Sequence, residues 1–166
     1  MTSQASLDEL NRRLKKRGRD PVPMDRFRPN IVISSSNNEP FIEDRIREIQ
    51  ILQPKGEEMK EVMRWWLTKP CVRCKCLCIL FAPLTFIKCR YRVCLGQVPT
   101  INQATGIMDK YHEPTVTLRT FRTGKDLGFV KEKWEEVYFG KYCCHDNFEG
   151  RDIMLSKGDV LRPLFV

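Results

Sequence analysis

The stretch Lys69-Pro70-Cys71-Val72-Arg73-Cys74 places two thiols three positions apart, with a proline before them and an arginine between them. The segment from Met63 to Leu67, which contains Trp65 and Trp66, precedes it and predicts a buried strand that leads into the two cysteines. A thiolate is a soft donor suited to thiophilic metals, and a neighbouring cation favours the thiolate form. Because a Cys-x-x-Cys spacing also serves zinc sites and redox pairs, the spacing alone leaves the chemistry open.

The bulk composition is that of one ordinary globular domain with an excess of positive charge. The chain has 166 residues, 42% of them apolar and 30% charged, which is enough for a real core. The net charge of +8 favours anionic partners. The basic residues are dispersed, without the aromatic and basic alternation of nucleic-acid-binding surfaces. We therefore expect no nucleic acid as a partner and attribute the charge to an anionic cofactor or an acidic electron-donor protein.

The eight cysteines are distributed unevenly. Six fall between residues 71 and 94, unlike the dispersed cysteines of a disulfide-stapled secreted domain. Residues 1–20 are polar and charged and do not resemble a signal peptide. The longest apolar run, Leu77 to Ile87, is broken by Pro83 and is too short to span a bilayer. We expect an intracellular protein, cytoplasmic or associated with mitochondria, without a transmembrane segment.

Short strands dominate the predicted secondary structure. A capping box with Ser6 as N-cap predicts a first helix that ends at Gly18. Residues 131–137 predict a short helix, and residues 41–51 fit either a strand with an irregular start or one helical turn. The predicted strands are residues 31–33, 63–67, 116–122 and 160–164. Many short strands and few helices indicate a barrel or closed sheet.

Five motifs follow one another along the chain. They are Arg26-Phe27-Arg28-Pro29-Asn30-Ile31-Val32-Ile33 with Pro40-Phe41 and Glu43-Asp44, Pro70-Cys71-Val72-Arg73-Cys74, Thr117-Leu118-Arg119-Thr120-Phe121-Arg122, Phe139-Gly140, and Gly158-Asp159-Val160. In this order they resemble the MOSC domain of molybdenum-cofactor sulfurases and of the mitochondrial amidoxime-reducing component. The resemblance implies a mainly β, barrel-like MOSC fold with a few short helices over residues 24–166. Residues 1–23 would be an N-terminal helix and linker.

The resemblance also implies a molybdenum cofactor, with molybdopterin as the bound pterin. Cys74 matches the family's metal ligand, so its sulfur would bind molybdenum and Cys74 would be the catalytic residue. Arg28 and Asn30 match positions near the cofactor, and Arg73 matches a position in or just behind that shell. The two arginines supply fixed charge and forked donors for a pterin phosphate. We interpret Cys71 as a small buried residue rather than a second ligand.

Four further cofactor-binding residues come from the same resemblance. Asp44 could accept hydrogen bonds from pterin N–H groups or orient an arginine. Thr117, Arg119 and Arg122 lie on the strand that the family uses beside the site. Simpler alternatives stay open: Asp44 and Arg28 could form an ion pair that locks a loop, and Thr117 could be an ordinary strand threonine.

The chain departs from the family pattern in two large ways. Amidoxime-reducing members carry another β domain upstream, so this chain would be a fragment or would lack part of its site. Relatives pass almost directly from the second cysteine to a turn, here Val98 to Gly106, whereas this chain interposes residues 76–97. We interpret those apolar, Cys-rich residues as an atypical insertion, with an in-frame retained intron as one explanation. An apolar loop beside the metal ligand could leave the protein inactive.

Three functions fit these observations. The first is molybdenum-dependent reduction of N-hydroxylated or N-oxide substrates, with electrons from a haem protein or flavoprotein. The second is sulfur handling, in which the domain carries the cofactor for sulfuration. The chain has no lyase domain and no lysine motif for pyridoxal phosphate, which is therefore a property of the family only. The third is a zinc-binding interaction module, whose candidate ligands are Cys71, Cys74, Cys76, Cys78, Cys89 and Cys94.

Overall fold

The computed structural model describes residues 1–34, 37–55, 58–72, 98–145 and 159–165, and within them the fold is mainly β, as predicted. The strands are β1 (Thr2–Ser3), β2 (Val32–Ile33), β3 (Ile46–Lys55), β4 (Glu58–Val72), β5 (Tyr138–His145) and β6 (Val160–Phe165). The α-helices are α1 (Gln4–Lys16) and α2 (Thr115–Leu118). Short 3-10 turns occupy Met24–Phe27, Ile42–Asp44, Val98–Thr100 and Lys131–Lys133.

An antiparallel sheet with the order β5-β4-β3-β6 forms the centre of the fold. The β3–β4 pair runs from Glu48 opposite Trp66 to Lys55 opposite Glu58. The pairing of β4 with β5 is irregular around Pro70, which has no N–H to donate to the ladder. In the described residues this sheet is open, with β5 and β6 at its edges, so the barrel-like description holds only loosely.

The first residues of the chain connect two separate parts of the fold. Strand β1 pairs in parallel with β2, and Thr2 N–H donates to the Ile31 carbonyl at 3.0 Å. On the other side, Lys141 N–H on β5 donates to the Met1 carbonyl at 2.9 Å. The start of β1 therefore lies between β2 and the edge of the large sheet.

The main core lies between α1 and β5. Leu7, Leu10 and Leu14 recur at helical spacing and form one buried stripe of α1. This stripe packs against a set of buried apolar residues, namely Val22, Phe27, Leu118, Val137 and Phe139. A second cluster of Ile46, Ile49 and Leu67 lies on the sheet itself. Burying a side chain of this size stabilises the fold by about 1.5–3 kcal/mol.

Helix α1 ends at Lys16, just before the predicted terminating residue Gly18, but it begins earlier than predicted. Gly18 has a φ of +66°, which a glycine adopts without a steric penalty. The N-cap is Ser3, whose Oγ accepts the Ser6 N–H at 3.1 Å, so the assignment of Ser6 as N-cap is wrong. Ser6 instead donates to the buried Glu43 carboxylate, at 2.9 and 3.0 Å. The hydroxyl of Ser6 is therefore engaged in a tertiary contact with residue 43, which a local capping pattern does not reveal.

The predicted strand at 116–122 is wrong. This segment is the single turn of α2 followed by further turns, with Arg122 N–H bonded to the Leu118 carbonyl at 2.7 Å. The Glu113 carboxylate accepts the Thr117 N–H at 2.9 Å and so satisfies a donor at the start of the turn. Leu118 is fully buried in the α1 core. These contacts override the β propensity of an alternating Val and Thr sequence.

The other secondary-structure predictions meet mixed outcomes. Strands are confirmed at 63–67 and at 160–164, and the strand at 31–33 is confirmed as the two residues of β2. Residues 41–51 combine both alternatives, because a 3-10 turn leads directly into β3. The helix predicted at 131–137 shrinks to the 3-10 turn Lys131–Lys133, which leaves Trp134 41% exposed.

Candidate functional site

A cavity of about 520 Å³ opens between β1, the loop that precedes β2, and strands β4 and β5. Its lining residues are Met1, Thr2, Arg26, Phe27, Arg28, Pro29, Asn30, Ile31, Trp65, Cys71, Pro99, Phe139, Lys141, Tyr142, Cys143 and Cys144. Among these described residues there are three cationic side chains and three thiols but no carboxylate. The cavity therefore combines positive charge with apolar and aromatic walls.

The loop from Arg26 to Ile31 is fixed by its neighbours on both sides. Phe27 is buried and stacks on Phe139 with ring centroids 4.1 Å apart. Arg26 Nη1 donates to the Pro99 carbonyl at 3.2 Å. Arg28 adopts a left-handed backbone conformation with a φ of 47°. Such a conformation costs a non-glycine residue of the order of 1–3 kcal/mol and is frequent at binding sites.

Lys141 is the most buried cation of the cavity, with 9% of its surface exposed. Its Nζ donates to the Asp44 and Ile46 carbonyls, each at 2.9 Å. Burial lowers the pKa of Lys141 from its ordinary value of 10.5, an effect that the nearby Asp44 carboxylate partly opposes. The ammonium is thus held in place at the junction of β3 and β5.

The three thiols of the cavity differ in their surroundings. Cys71 is half-buried at the end of β4, so its interpretation as a small buried residue holds only in part. Cys143 packs against the second apolar cluster, and burial raises the pKa of its thiol. Cys144 is exposed. Within the described part of the chain, no group of three or more His, Cys, Asp or Glu side chains could hold a metal ion.

Two of the residues predicted from the sequence lie in the cavity, and two others pair with each other elsewhere. Arg28 and Asn30 line the cavity. Arg122 binds the Asp44 carboxylate through two hydrogen bonds, of 2.6 and 3.2 Å. Arg122 also donates to the Tyr138 carbonyl at 3.3 Å. The ion pair that was considered for Asp44 therefore forms with Arg122 and not with Arg28.

The remaining predicted residues are not part of the described cavity lining. Thr117 is fully buried, and its Oγ1 has no hydrogen-bond partner among the described residues. Arg119 is exposed on the segment after α2. Arg73, Cys74 and residues 76–97 lie outside the described residues, and so five of the six cysteines considered as zinc ligands lie outside them.

Sequence reasoning missed several residues that line the cavity. Arg26 belongs to the first of the five family motifs, but it is not among the cofactor-binding residues predicted from the sequence. Lys141 and Cys143 line the cavity from β5, as do their neighbours Tyr142 and Cys144, so strand alternation does not single them out. Gly140, with a φ of +79°, also interrupts the regular alternation between Phe139 and Lys141.

The match to a family model now defines the class of protein. The model of the MOSC domain matches residues 1–162, and the chain belongs to this family. The family is associated with the molybdenum cofactor. The matched range includes α1, and the domain boundary predicted between residues 23 and 24 stays a prediction.

Two further findings concern relatives and membrane spans. A search of curated proteins gives no match. Among the described residues, none of the helices has the length and apolar character needed to cross a membrane.

The cavity fits an anionic organic group of the kind that the family uses. Arg26 and Arg28 line it from the segment before β2, and the more buried Lys141 lines it from β5. A phosphate would find positive charge there, and a fused ring would find Phe139 and Trp65 as apolar walls.

Proposed function

We propose that this cavity binds the molybdenum cofactor and that the chain is a molybdenum-dependent oxidoreductase of the amidoxime-reducing type. One observation carries the proposal: Arg26, Arg28 and Lys141 line a single cavity in which no described lining residue is acidic. Its volume of about 520 Å³ falls in the range of small-molecule sites. A site of this charge and size suits an anionic cofactor better than it suits a cationic or fully apolar ligand.

The residues of the loop before β2 would hold the pterin part. Arg28 and Arg26 would bind its phosphate through charge-assisted hydrogen bonds, which are the strong class of such bonds. Asn30 has both a donor and an acceptor for the edge of the ring system. The stacked pair Phe27 and Phe139 would form an apolar wall that excludes water from one side.

Cys74 is proposed as the molybdenum ligand on the basis of the family motif. It follows Cys71, which lines the cavity, by three residues. Three residues of chain span at most about 11 Å, which is compatible with a sulfur ligand at this cavity. The cofactor, when bound, supplies a redox-active metal. Reduction of an N–OH group to N–H takes up two electrons and two protons and releases water, with the electrons supplied by a haem protein or flavoprotein donor.

A sulfur-handling role is the second candidate, and the thiols of the cavity favour it. Cys144 is exposed, so it could accept sulfur from a persulfide donor. Cys143 is a weaker candidate because burial raises its pKa and reduces its thiolate fraction. Mass spectrometry after incubation with a persulfide donor separates the two roles, because a carrier gains one sulfur atom on a specific cysteine.

Metal and pterin analysis tests the primary proposal. The full chain is purified from a host that makes the cofactor, and its molybdenum, zinc and oxidised-pterin fluorescence are measured. We expect molybdenum and pterin together, and turnover of an N-hydroxylated substrate when a donor is supplied. Cys74→Ala should abolish turnover, whereas Cys89→Ala, a change within the insertion, is the matched control. Stoichiometric zinc without molybdenum would instead support the interaction module.

A further inference from the structure

We propose that Phe41 is a positioning residue for the cavity. Its ring holds Phe139, and through it Phe27, in the orientation that forms the apolar wall. Phe41 is not among the residues that line the cavity, and it is not among those predicted to bind the cofactor. Its effect on cofactor binding rests on the proposed function, whereas its effect on the shape of the wall does not.

The backbone of Phe41 has a conformation that a bulky residue seldom adopts. Its φ of 60° and ψ of 25° lie in the left-handed region. Such a conformation costs free energy and persists only where the surroundings over-determine it. Here the Phe41 N–H donates to the Ser6 Oγ at 2.8 Å, and the Phe41 carbonyl accepts the Asp44 N–H at 3.0 Å. Phe41 is thus fixed at the start of the turn that precedes β3.

The half-buried ring of Phe41 contacts a fixed cation on one hand and Phe139 on the other. Its centroid lies 4.3 Å from the guanidinium carbon of Arg122. Arg122 is itself buried and held by the Asp44 carboxylate, so it is a fixed partner. The centroids of Phe41 and Phe139 are 6.3 Å apart, with an angle of 89° between the rings. This is the edge-to-face geometry that aromatic pairs prefer.

Phe139 carries this contact to the cavity. It is fully buried in the α1 core, it lines the cavity, and its ring stacks on Phe27 with an angle of 26° between the rings. Phe27 belongs to the loop that places Arg28 at the cavity. Phe139 therefore has one flat contact and one perpendicular contact. Because a close-packed ring is held by its neighbours, loss of the perpendicular contact should let Phe139 and Phe27 move.

Phe121 offers a matched control for the ring of Phe41. Both rings are partly buried and pack against the α1 core. The two rings contact each other, with centroids 5.8 Å apart. None of the ring pairs among the described residues joins Phe121 to Phe139. Replacing Phe121 with leucine therefore removes a similar amount of core packing without removing the contact to the cavity wall.

Hydrogen exchange of the cofactor-free full chain tests the effect on the wall. The measured quantity is the exchange rate of the amides of residues 26–31. We expect about a tenfold faster exchange in Phe41→Leu than in wild type, because loss of the ring favours local opening of this segment. Phe41→Tyr keeps the ring and should exchange at the wild-type rate, as should Phe121→Leu. A purely structural role in the core would affect the two leucine variants alike.

Urea denaturation verifies that each variant is folded. If Phe41→Leu does not fold, Phe41→Met takes its place, because a flexible methionine side chain fills irregular space in a core. Equal exchange in wild type and the folded Phe41 variant would overturn the inference. The same acceleration in Phe121→Leu or in Phe41→Tyr would also overturn it.

Pterin content of the same variants, purified from a host that makes the cofactor, tests the effect on binding. We expect about threefold less pterin per folded chain in Phe41→Leu than in Phe121→Leu, because a looser wall is a poorer site. Equal pterin in the two leucine variants would refute the positioning role for the cofactor but leave the proposed function intact. Faster exchange in Phe41→Leu without pterin in the wild type would do the reverse.

Discussion

The polar interior around Asp44 and the cavity around Arg28 are adjacent in the fold, but their charged side chains differ in whether they have a partner of opposite charge. In the interior, Arg122 is 4% exposed and binds Asp44 in a two-bond pair, and the buried Glu43 accepts from Ser6. In the cavity, none of the described ion pairs involves Arg26, Arg28 or Lys141. Charges of the first kind are paired with an opposite charge or a hydrogen-bond donor inside the fold, whereas charges of the second kind have no carboxylate partner among the described residues.

This difference distinguishes residues that the family motifs alone treat alike. Arg28 and Arg122 both stand in motifs that suggested cofactor binding. Arg122 contacts Asp44, the Tyr138 carbonyl and the Phe41 ring, whose centroid is 4.3 Å from its guanidinium carbon. Substitutions in the two regions should therefore separate stability from binding.

Arg122→Leu should give the largest effect. It leaves the Asp44 carboxylate without its partner, and because that carboxylate is partly exposed we expect the unfolding free energy to fall by about 3 kcal/mol. Urea denaturation followed by fluorescence measures the loss. The exposed Arg119→Leu is the control and should change stability by less than about 0.5 kcal/mol. A loss below about 1 kcal/mol for Arg122→Leu would mean that this pair does not hold the interior together.

Ser6→Ala should give the next largest effect. The substitution removes the donor to the fully buried Glu43 carboxylate and the acceptor of the Phe41 N–H at 2.8 Å. Leaving buried polar groups unpaired costs about 2 kcal/mol, measured as a shift of the urea midpoint. Gln4→Ala on the exposed face of the same helix is the control. Equal stability of the two variants would refute the proposed importance of the Glu43 contacts.

The sequence predicts some parts of the structure better than others, and the reason is physical. Local patterns identified α1, β4 and β6, because burial of an apolar stripe or a strand repeats at short range. They failed at residues 116–122, where Glu113 and the α1 core impose a turn on an alternating sequence. The family motif gave Arg28 and Asn30 in the cavity. Lys141 could not be found in this way, because its burial depends on carbonyl groups about a hundred residues away in the chain.

Arg28→Gly tests whether a charged residue of the cavity contributes to binding rather than to stability. Glycine adopts the positive φ of this residue freely, so stability should be unchanged or should rise by up to about 1 kcal/mol. Phosphate affinity should fall about tenfold, since a forked donor is lost. Asn38→Gly, at another positive φ of 45°, is the matched control and should leave affinity unchanged. A large loss of stability in Arg28→Gly would place Arg28 with the structural group.

The pH dependence of stability should give the smallest effect. Burial lowers the pKa of Lys141 in the folded chain below its ordinary value of 10.5. At pH values between the folded pKa and the unfolded pKa, the unfolded chain therefore binds more protons than the folded chain. The unfolding free energy contributed by this group should therefore rise with pH through that window. The rise should be present in Lys131→Met and absent in Lys141→Met, as measured by denaturation at a series of alkaline pH values. Identical slopes would indicate that the ammonium of Lys141 is well solvated.

Retention of pterin by a cavity variant tests the central claim most directly. The double variant Arg28→Gly with Lys141→Met is purified beside wild type and Lys131→Met from a host that makes the cofactor, and oxidised-pterin fluorescence per chain is measured. The account predicts pterin in wild type and in the control, and its loss from the double variant while the fold is retained. Wild-type pterin content in a folded double variant, or no pterin in the wild type, would contradict it.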